Sequence, residues 1–273
     1  MAITVADINK LRQQTGAGMM DCKKALEESG GDFEKAIDYL RKKGAKIAAN
    51  RQDRDAKEGY VLAKVKDNNK AILLSINCET DFVAKNQDFQ SFVEEVANIA
   101  LDKFPTNTED LKKLPYNSDI SISDKLMEQI AKIGEKIEIG YYATIEAPYV
   151  ASYIHPGNRL AVIIGFNKPI DAEAAKNIAM QVAAMAPVSV DKSDVPQNVL
   201  ERELEIAREQ VRQEGKPEDM VEKIAQGKLN KFFKESTLLN QEYIKDNKMT
   251  VGQYLQSVDK DAKVLGFKRY SLA

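Results

Sequence analysis

The chain has 273 residues, more than one compact core usually holds, and 43% of them are hydrophobic, which suffices for well-packed cores. Its 40 Lys and Arg nearly balance its 42 Asp and Glu, which argues against direct binding to nucleic acid through a basic excess. No apolar run approaches the roughly 20 residues that span a bilayer, and the amino-terminal residues predict a polar helix instead of a signal sequence. These features predict a cytoplasmic protein of two or three domains without membrane contact.

Residues 1 to about 44 predict a miniature module of three short helices. Thr4 with Asp7 three positions later is a capping pattern for the first helix, and the glycine-rich turn 15–18 ends it. The second helix is predicted near 20–28, and the third is predicted to stop at Gly44. A core of this size is marginal alone and usually presents one face to something else.

Met19 and Met20 stand beside the glycine-rich turn of this module. Methionine fills irregular gaps in cores and is also common at binding surfaces. Periodicity alone favours the first role for both residues, with partner contact as the alternative.

Residues 44–59 are charge-dense and contain few large apolar side chains. Such a segment is either a linker or a solvated helix tail. A domain boundary is predicted here in both cases.

A β-hairpin is predicted next, with strands at 60–65 and 71–76 around a polar turn at 67–69. The second strand leads directly into Cys78-Glu79-Thr80-Asp81-Phe82-Val83-Ala84-Lys85-Asn86 and a helix that ends near residue 103. In an unbroken helix, Phe82 would share a stripe with later apolar residues: Phe89, Phe92, Val93, Val96 and Ile99. Periodicity alone therefore predicts that the Phe82 ring packs in the core.

The pattern of hairpin followed by helix occurs a second time. A helix near 123–135 precedes a second hairpin group with strands at 141–145, 150–154 and 160–166, and a helix follows at 171–186. Its predicted inward residues are Ile178, Ala179, Val182 and Met185. The duplication favours two related α+β halves over a nucleotide-binding parallel sheet.

Residues 196–235 predict two antiparallel helices with a narrow apolar seam and charged outer faces. Such a pair extends from the body as an interaction surface, or alternatively packs along the core. The remaining segment predicts a short strand, a helix and a final strand that complete the core sheet.

The predicted fold class is therefore α+β, with repeated hairpin-helix units in its core. The expected domains are a three-helix module with the start of its linker at 1–52, a two-part core at 53–190, a helical hairpin insertion at 191–235 and the completion of the core at 236–273.

A catalytic site is not indicated by the residues. His155, the sole histidine, lies in a predicted turn without a nucleophile beside it, and Cys22 and Cys78 are isolated in sequence and fit buried, reduced thiols. No metal-ligand spacing or cofactor motif occurs, so neither a metal nor a cofactor is expected. An adaptor or regulator is favoured over an enzyme, and a hydrolase is disfavoured.

Several motifs, in order and separation, resemble bacterial translation elongation factor Ts. They are Thr15-Gly16-Ala17-Gly18-Met19-Met20-Asp21-Cys22-Lys23-Lys24-Ala25-Leu26, Thr80-Asp81-Phe82-Val83-Ala84-Lys85-Asn86 and His155-Pro156-Gly157-Asn158-Arg159. Residues 220–229 and 250–253 extend the resemblance over essentially the whole chain.

The resemblance implies a guanine nucleotide exchange factor for elongation factor Tu that performs no bond chemistry. It also implies a ubiquitin-associated-like amino-terminal module, a bipartite core and an inserted coiled-coil hairpin, with the hairpin a candidate surface for self-association. In the family, residues matching Asp81 and Phe82 enter the nucleotide domain of the partner and displace elements that hold Mg²⁺ and the phosphates, so that GDP leaves. Phe82 is accordingly expected to face the partner, before a helix break at Asn86.

Further contacts carried over by the resemblance complete the expected partner-binding set. With Asp81 and Phe82, the set comprises Thr80, Val83, Arg12, Met19, Met20, Lys23, Ile133, Gly134 and His155. Both the GDP-bound and the nucleotide-free partner are expected to bind. Many family members carry a further carboxy-terminal helical module, which is expected to be absent here. The alternative function is a scaffold that binds a ubiquitin-like or translation-related partner through the three-helix module without altering nucleotide.

Overall fold

The computed structural model describes residues 3–272, which fold into eleven α-helices and eight β-strands. The helices are α1 (Val5–Thr15), α2 (Met19–Glu28), α3 (Phe33–Asn50), α4 (Asp81–Ala84), α5 (Gln87–Lys103), α6 (Thr108–Lys113), α7 (Ile122–Ile133), α8 (Ala172–Met185), α9 (Gln197–Gln213), α10 (Glu218–Ser236) and α11 (Val251–Val258). The strands are β1 (Glu58–Lys66), β2 (Lys70–Cys78), β3 (Glu138–Glu146), β4 (Tyr149–Ile154), β5 (Leu160–Phe166), β6 (Glu242–Tyr243), β7 (Asp246–Thr250) and β8 (Val264–Ser271). Helices and small antiparallel sheets confirm the predicted α+β class.

The first three helices enclose a small core of their own. The Asp7 N–H donates to Thr4 Oγ1 at 3.2 Å, and the Thr4 N–H donates to the Asp7 carboxylate at 3.0 Å, so the predicted cap of α1 is confirmed. Gly16 ends this helix with a φ of 67°, which glycine adopts without steric strain. The buried side chains of this core come from all three helices and the first turn: Ile8, Leu11, Ala17, Cys22, Ala25, Leu26, Ala36 and Leu40.

Helix α3 continues past Gly44 to Asn50, so the predicted stop at Gly44 is wrong. A Cβ atom added to Gly44 would lie 2.1 Å from the Met127 carbonyl oxygen of α7. Glycine here allows the backbones of α3 and α7 to approach closely, and its role is packing instead of termination. The charged segment is thus a helix tail as far as Asn50, which decides between the two interpretations.

Two three-stranded antiparallel sheets, β1-β2-β3 and β4-β5-β8, lie face to face between helices. Along β2, Ile72 and Leu74 pack on the side of α5, whereas Leu73 packs with Ile163 of β5. On the far side of β5, Ile164 packs against α8. The layers therefore run helix, sheet, sheet, helix, and β2 is buried on both faces.

The two sheets share one order of elements, namely a hairpin, a helix, an insertion and a returning strand, and the second insertion contains β6 and β7 besides its helices. In the first half β3 returns to pair with β2, and in the second half β8 returns to pair with β5. Of the three strands in the predicted second hairpin group, the first therefore belongs to the other sheet, where Tyr142 lies opposite Leu74. The predicted final strand is confirmed as part of the core, but the predicted short strand does not join the core sheet, because β6 pairs with β7 in a separate two-stranded sheet.

Helices α9 and α10 are joined by a short turn and packed side by side. Ala207 and Val211 of α9 and Val221 and Leu229 of α10 are buried. On the outer surface beside this seam, Arg208 Nε donates a hydrogen bond to Glu222 Oε2 at 2.8 Å. The narrow apolar seam predicted for these helices is thus present.

Met185 does not point inward as predicted, since 47% of it is exposed. It is the last residue of α8, and Ala186 turns the chain away with a φ of 43°. The other three residues predicted to face inward on this helix are buried: Ile178, Ala179 and Val182.

We predict that Gly44→Ala destabilises the protein by about 1–3 kcal/mol, because the new methyl group collides with the α7 backbone. The control is Gly227→Ala in α10, where a Cβ atom meets nothing within 4 Å. This control should stabilise the protein by roughly 0.5–1 kcal/mol through helix propensity. Urea unfolding midpoints measure both, and an unchanged midpoint for Gly44→Ala would contradict the close approach.

Candidate functional site

The site begins where β2 ends, at the one-turn helix α4. Thr80 caps this turn, because its Oγ1 accepts the Val83 N–H at 3.4 Å. Asn86 then caps α5 through the N–H groups of Asp88, at 2.9 Å, and Phe89, at 3.2 Å. The expected break at Asn86 is confirmed, and α4 stands as a separate turn between β2 and α5.

This break divides the apparent apolar stripe into two parts. Phe82 on α4 is 83% exposed, whereas the aligned residues of α5 are buried: Phe89, Phe92, Val93 and Val96. Full burial of a phenylalanine side chain contributes roughly 1.5–3 kcal/mol. Because the Phe82 ring is exposed to solvent, the fold of the free protein does not gain this stabilisation.

Glu135 holds the segment before α4. Its Oε2 accepts the N–H groups of Glu79 at 3.0 Å and Thr80 at 3.1 Å, and its Oε1 accepts the Thr80 hydroxyl at 2.7 Å. Hydrogen bonds to an ionised acceptor are among the stronger ones in proteins. The backbone that carries Phe82 is therefore fixed on the side facing residues 133–135.

Glu79 ties the same segment to the end of the amino-terminal helices. Its carboxylate accepts from Arg51 and from the Lys136 N–H, both at 2.6 Å, and from Arg54 at 3.3 Å. Although burial opposes its ionisation, the Lys136 N–H and the Arg51 guanidinium hold the pKa of Glu79 below its ordinary value. Glu79 therefore remains charged and bridges α3 to the Phe82 segment.

A groove of about 330 Å³ lies beside Phe82 and reaches the end of α7. Val83, Gln129, Lys132 and Ile133 contribute to its walls. Gln129 is buried, and its Oε1 has no hydrogen-bond partner within residues 3–272. The structure thus brings the predicted residues Phe82, Val83 and Ile133 together, with Gly134 ending α7 at a φ of 81°.

A second hollow, of about 340 Å³, lies on the other side of α4. Asp81 and Lys85 line it together with Gly157 and Arg159 from the β4–β5 turn. Lys85 donates to Asp81 at 2.7 Å and holds the pKa of that carboxyl below its usual range. Two predicted motifs that are far apart in sequence therefore meet at α4.

His155 lies in the same turn but does not line this hollow. Its side chain is exposed, and its Nδ1 lies 3.0 Å from the Tyr153 hydroxyl. The ring is therefore on the surface of the predicted turn, with one hydrogen-bonding neighbour on β4.

Met19 and Met20 are 50% and 74% exposed, so the periodicity-based expectation that both fill the small core is wrong. They begin α2 directly after a tight turn, on the side away from the Leu11 and Leu26 core. The nearby Gly16 lies against the Lys132 side chain, which would be 3.2 Å from an added Cβ atom. The turn that precedes Met19 thus lies against Lys132, one wall residue of the groove beside Phe82.

Arg12 and Lys23, the other residues expected from this module, are also exposed. Arg12 stands in the last turn of α1, where its carbonyl oxygen accepts the Gly16 N–H at 2.7 Å. Lys23 forms a loose ion pair with Glu27 at 3.8 Å. Both side chains therefore lie on the surface of the module.

Residue patterns missed the groups that hold the site in place. Glu79, Lys132 and Glu135 looked like ordinary charged residues, because their partners are distant in sequence. A local signal existed only for Glu135, which follows the glycine that ends α7. Across residues 3–272, no group of three or more His, Cys, Asp or Glu side chains could hold a metal ion.

Among the helices that the structure describes, none is both long and apolar enough to cross a membrane.

Comparison with known proteins places these features in a family. A family model described as Elongation factor TS matches residues 79–273. The chain is 54% identical over 273 residues to Elongation factor Ts of Christiangramia forsetii, with 99% of this chain and 98% of the relative covered. It is 50% identical to Elongation factor Ts of Porphyromonas gingivalis over 272 residues, with 100% and 99% covered. For Elongation factor Ts of Thermobifida fusca, the identity is 47% over 255 residues, with 92% and 91% covered.

The class indicated by these likenesses is the translation elongation factors. Since the family model matches most of the chain and the relatives align over nearly their full length, the chain belongs to the elongation factor Ts family.

We predict that Glu135→Ala loosens the segment before Phe82. Hydrogen bonds to charged acceptors contribute about 1.5–3 kcal/mol, so loss of even one should speed hydrogen exchange at the Glu79 and Thr80 amides by at least about tenfold. The matched control is Glu138→Ala, which removes an exposed carboxylate whose one ion pair within residues 3–272 is with Lys136, at 3.5 Å. Unchanged exchange at both amides in Glu135→Ala would show that Glu135 does not fix this backbone.

Proposed function

We propose that this protein is a guanine nucleotide exchange factor that binds elongation factor Tu with GDP and accelerates the release of GDP. The observation that carries the proposal is the exposed Phe82 ring on a backbone held by Glu135. A large apolar ring that is rigidly held at the surface is suited to enter a partner. Membership in the elongation factor Ts family supports the identity of that partner.

In the proposed mechanism, Asp81 and Phe82 enter the nucleotide domain of the partner near the Mg²⁺ and phosphate site. The ring displaces groups that hold the ion and the phosphates, so GDP leaves faster. The factor must then bind the nucleotide-free partner more tightly than the GDP-bound partner, and by linkage GDP weakens the binding of the factor equally. Each tenfold of this coupling requires about 1.4 kcal/mol, which burial of one phenylalanine can supply.

The proposed contact surface extends from α4 in three directions. Thr80 and Val83 flank the intruding pair, Ile133 and Gly134 continue it along the groove beside Phe82, and His155 lies on the β4–β5 turn. The amino-terminal module adds a further part of the surface: Arg12, Met19, Met20 and Lys23. The exposure of Met19 and Met20, and the position of the preceding Gly16 against Lys132 of this groove, support one continuous surface.

The remaining parts of the proposal follow the family. The first three helices form a ubiquitin-associated-like module, and α9 with α10 forms a coiled-coil hairpin that is a candidate surface for self-association. The factor requires no cofactor and makes or breaks no covalent bond, and it acts in the cytoplasm. The domain limits proposed are 1–52, 53–190, 191–235 and 236–273.

A second candidate function is a scaffold that binds a ubiquitin-like or translation-related protein through the three-helix module. The exposed pair Met19 and Met20 supports it, since exposed methionines often mark adaptable binding surfaces. Measuring GDP release with the unmutated protein distinguishes the two functions, because an exchange factor accelerates the release of GDP, whereas a scaffold binds its partner without accelerating it.

We predict that Phe82→Ala lowers the acceleration of GDP release by roughly ten- to a hundredfold, the equivalent of losing 1.5–3 kcal/mol of ring burial. The thermal midpoint should stay unchanged, because the ring makes little contact with the rest of the chain. Release of a fluorescent GDP analogue from preloaded elongation factor Tu measures the effect.

The control for this experiment is Leu265→Ala, which removes another exposed apolar side chain, on β8 and away from α4. It should exchange like the parent. If Phe82→Ala also exchanges like the parent, the assigned role of the ring is wrong. If the parent itself does not accelerate release, the exchange function is wrong.

We predict that the double variant Met19→Ala/Met20→Ala raises the factor concentration needed for half-maximal exchange by about tenfold, because buried methionine contacts with the partner are lost. The maximal rate should remain near that of the parent, since Phe82 is intact. Met220→Ala, at an exposed methionine of α10, is the control. An unaltered concentration dependence would remove these residues from the contact surface.

A further inference from the structure

A second surface of the amino-terminal helices has chemistry that the proposed exchange reaction does not use. An open groove of about 530 Å³ lies between α2 and α3. We call it the lysine groove, and its defining residues are Lys24, Tyr39, Lys42, Lys43, Lys46 and Asn50. None of them belongs to the contact surface proposed above.

Helical spacing aligns most of these residues on one side of α3. Relative to Tyr39, the other α3 residues stand at three, four, seven and eleven positions, which share one helix face. Lys42 and Lys46 are one turn apart, about 6 Å along the axis. Lys24 faces them from α2. The groove is therefore a short track of ammonium groups.

The positive charge of the track is mostly uncompensated. Asp21 is the acidic residue of the lining, and it is engaged by Lys43 at 2.5 Å. Lys24, Lys42 and Lys46 form no ion pair with any residue in the part of the chain that is described. Like charges one helical turn apart repel each other, and a bound polyanion relieves that repulsion.

The floor of the groove is apolar and contains an aromatic ring. Tyr39 and Ile47 are partly buried, and Tyr39 packs on the core of the three helices, so its ring has a fixed position beside the lysines. A positive groove with an aromatic platform is the arrangement that binds single-stranded nucleic acid, in which phosphates meet the cations and bases stack. An acidic peptide would neutralise the lysines but has no base to stack on the ring.

We propose that the lysine groove binds a short segment of single-stranded RNA, with its phosphates on Lys24, Lys42 and Lys46 and a base against Tyr39. The near-neutral charge of the whole chain argues against binding through a general basic excess. It does not describe this face, where four lysines meet one paired carboxylate. The inference is independent of nucleotide exchange.

The test is fluorescence anisotropy of a short labelled oligouridylate with the full chain at low salt. Three phosphate contacts predict a slope of log affinity against log salt of roughly −2. The variant Lys42→Glu/Lys46→Glu should weaken binding about tenfold or more and reduce the steepness of the slope by roughly 1.4. Its far-ultraviolet circular dichroism and thermal midpoint check that it is folded.

The matched control is Lys248→Glu/Lys260→Glu, which changes the net charge equally at two exposed lysines without ion pairs among the described residues. This control should bind RNA like the parent. Equal weakening by both double variants would overturn the proposal, since it would reduce the effect to net charge. Absence of binding by the parent at low salt would overturn it as well.

Variants of Tyr39 and competition experiments identify the class of ligand. Tyr39→Leu should weaken binding of the RNA and Tyr39→Phe should not, because only the ring stacks. Polyglutamate that competes as well as the oligouridylate would overturn the proposal in favour of an acidic protein segment. ATP that competes as well per phosphate would assign the groove to free nucleotides and overturn the RNA assignment.

Discussion

Burial of β2 on both faces is the constraint on which the rest of the molecule depends. Its alternate side chains pack toward α5 and toward the second sheet, so the strand cannot shift by one residue without exchanging the two sets. Cys78 at its end is buried, its thiol donates to the Thr80 carbonyl oxygen at 3.2 Å, and burial raises its pKa to about 12. The chain therefore leaves the core at a fixed point, directly before the candidate site.

A helix of one turn has no stability of its own, so α4 depends on what surrounds it. Thr80 and Asn86 cap the turn and the helix after it, and Glu135 fixes the backbone on one side. Glu79 adds a bond to Arg51 just past the end of α3, and Gly44 allows α3 to lie close against α7. The amino-terminal helices and the Phe82 segment are thus parts of one supported frame, although they are separate in sequence.

Features that depend on local periodicity and capping could be predicted from the sequence. Predictions failed for features that depend on contacts between residues far apart in the chain. Alternation and helical spacing predicted β1, β2, α5 and α8, whereas the break at Asn86 was expected only from the family resemblance. The same periodicity misplaced Met19, Met20 and Met185, because a position on a helix face does not show whether a neighbouring element covers that face. Gly44 looked like a stop signal, since its contact with Met127 lies far along the chain. The role of Glu135 and the pairing of β3 with β2 depend on the fold itself.

The exposure of Phe82 bears directly on the energetics of the proposed exchange reaction. If the ring were folded into the core of the free protein, binding would first have to expose it, and that cost would cancel the roughly 1.5–3 kcal/mol gained on burial in the partner. When the ring is already exposed on a hydrogen-bonded backbone, the whole free energy of burying it in the partner stabilises the complex. The frame formed by β2, Glu135 and Glu79 keeps the ring exposed, because α4 packs on the core through Ala84 and Phe82 lies on the outer side of this turn. Rigidity around Phe82 and free access to it are therefore two consequences of the same contacts.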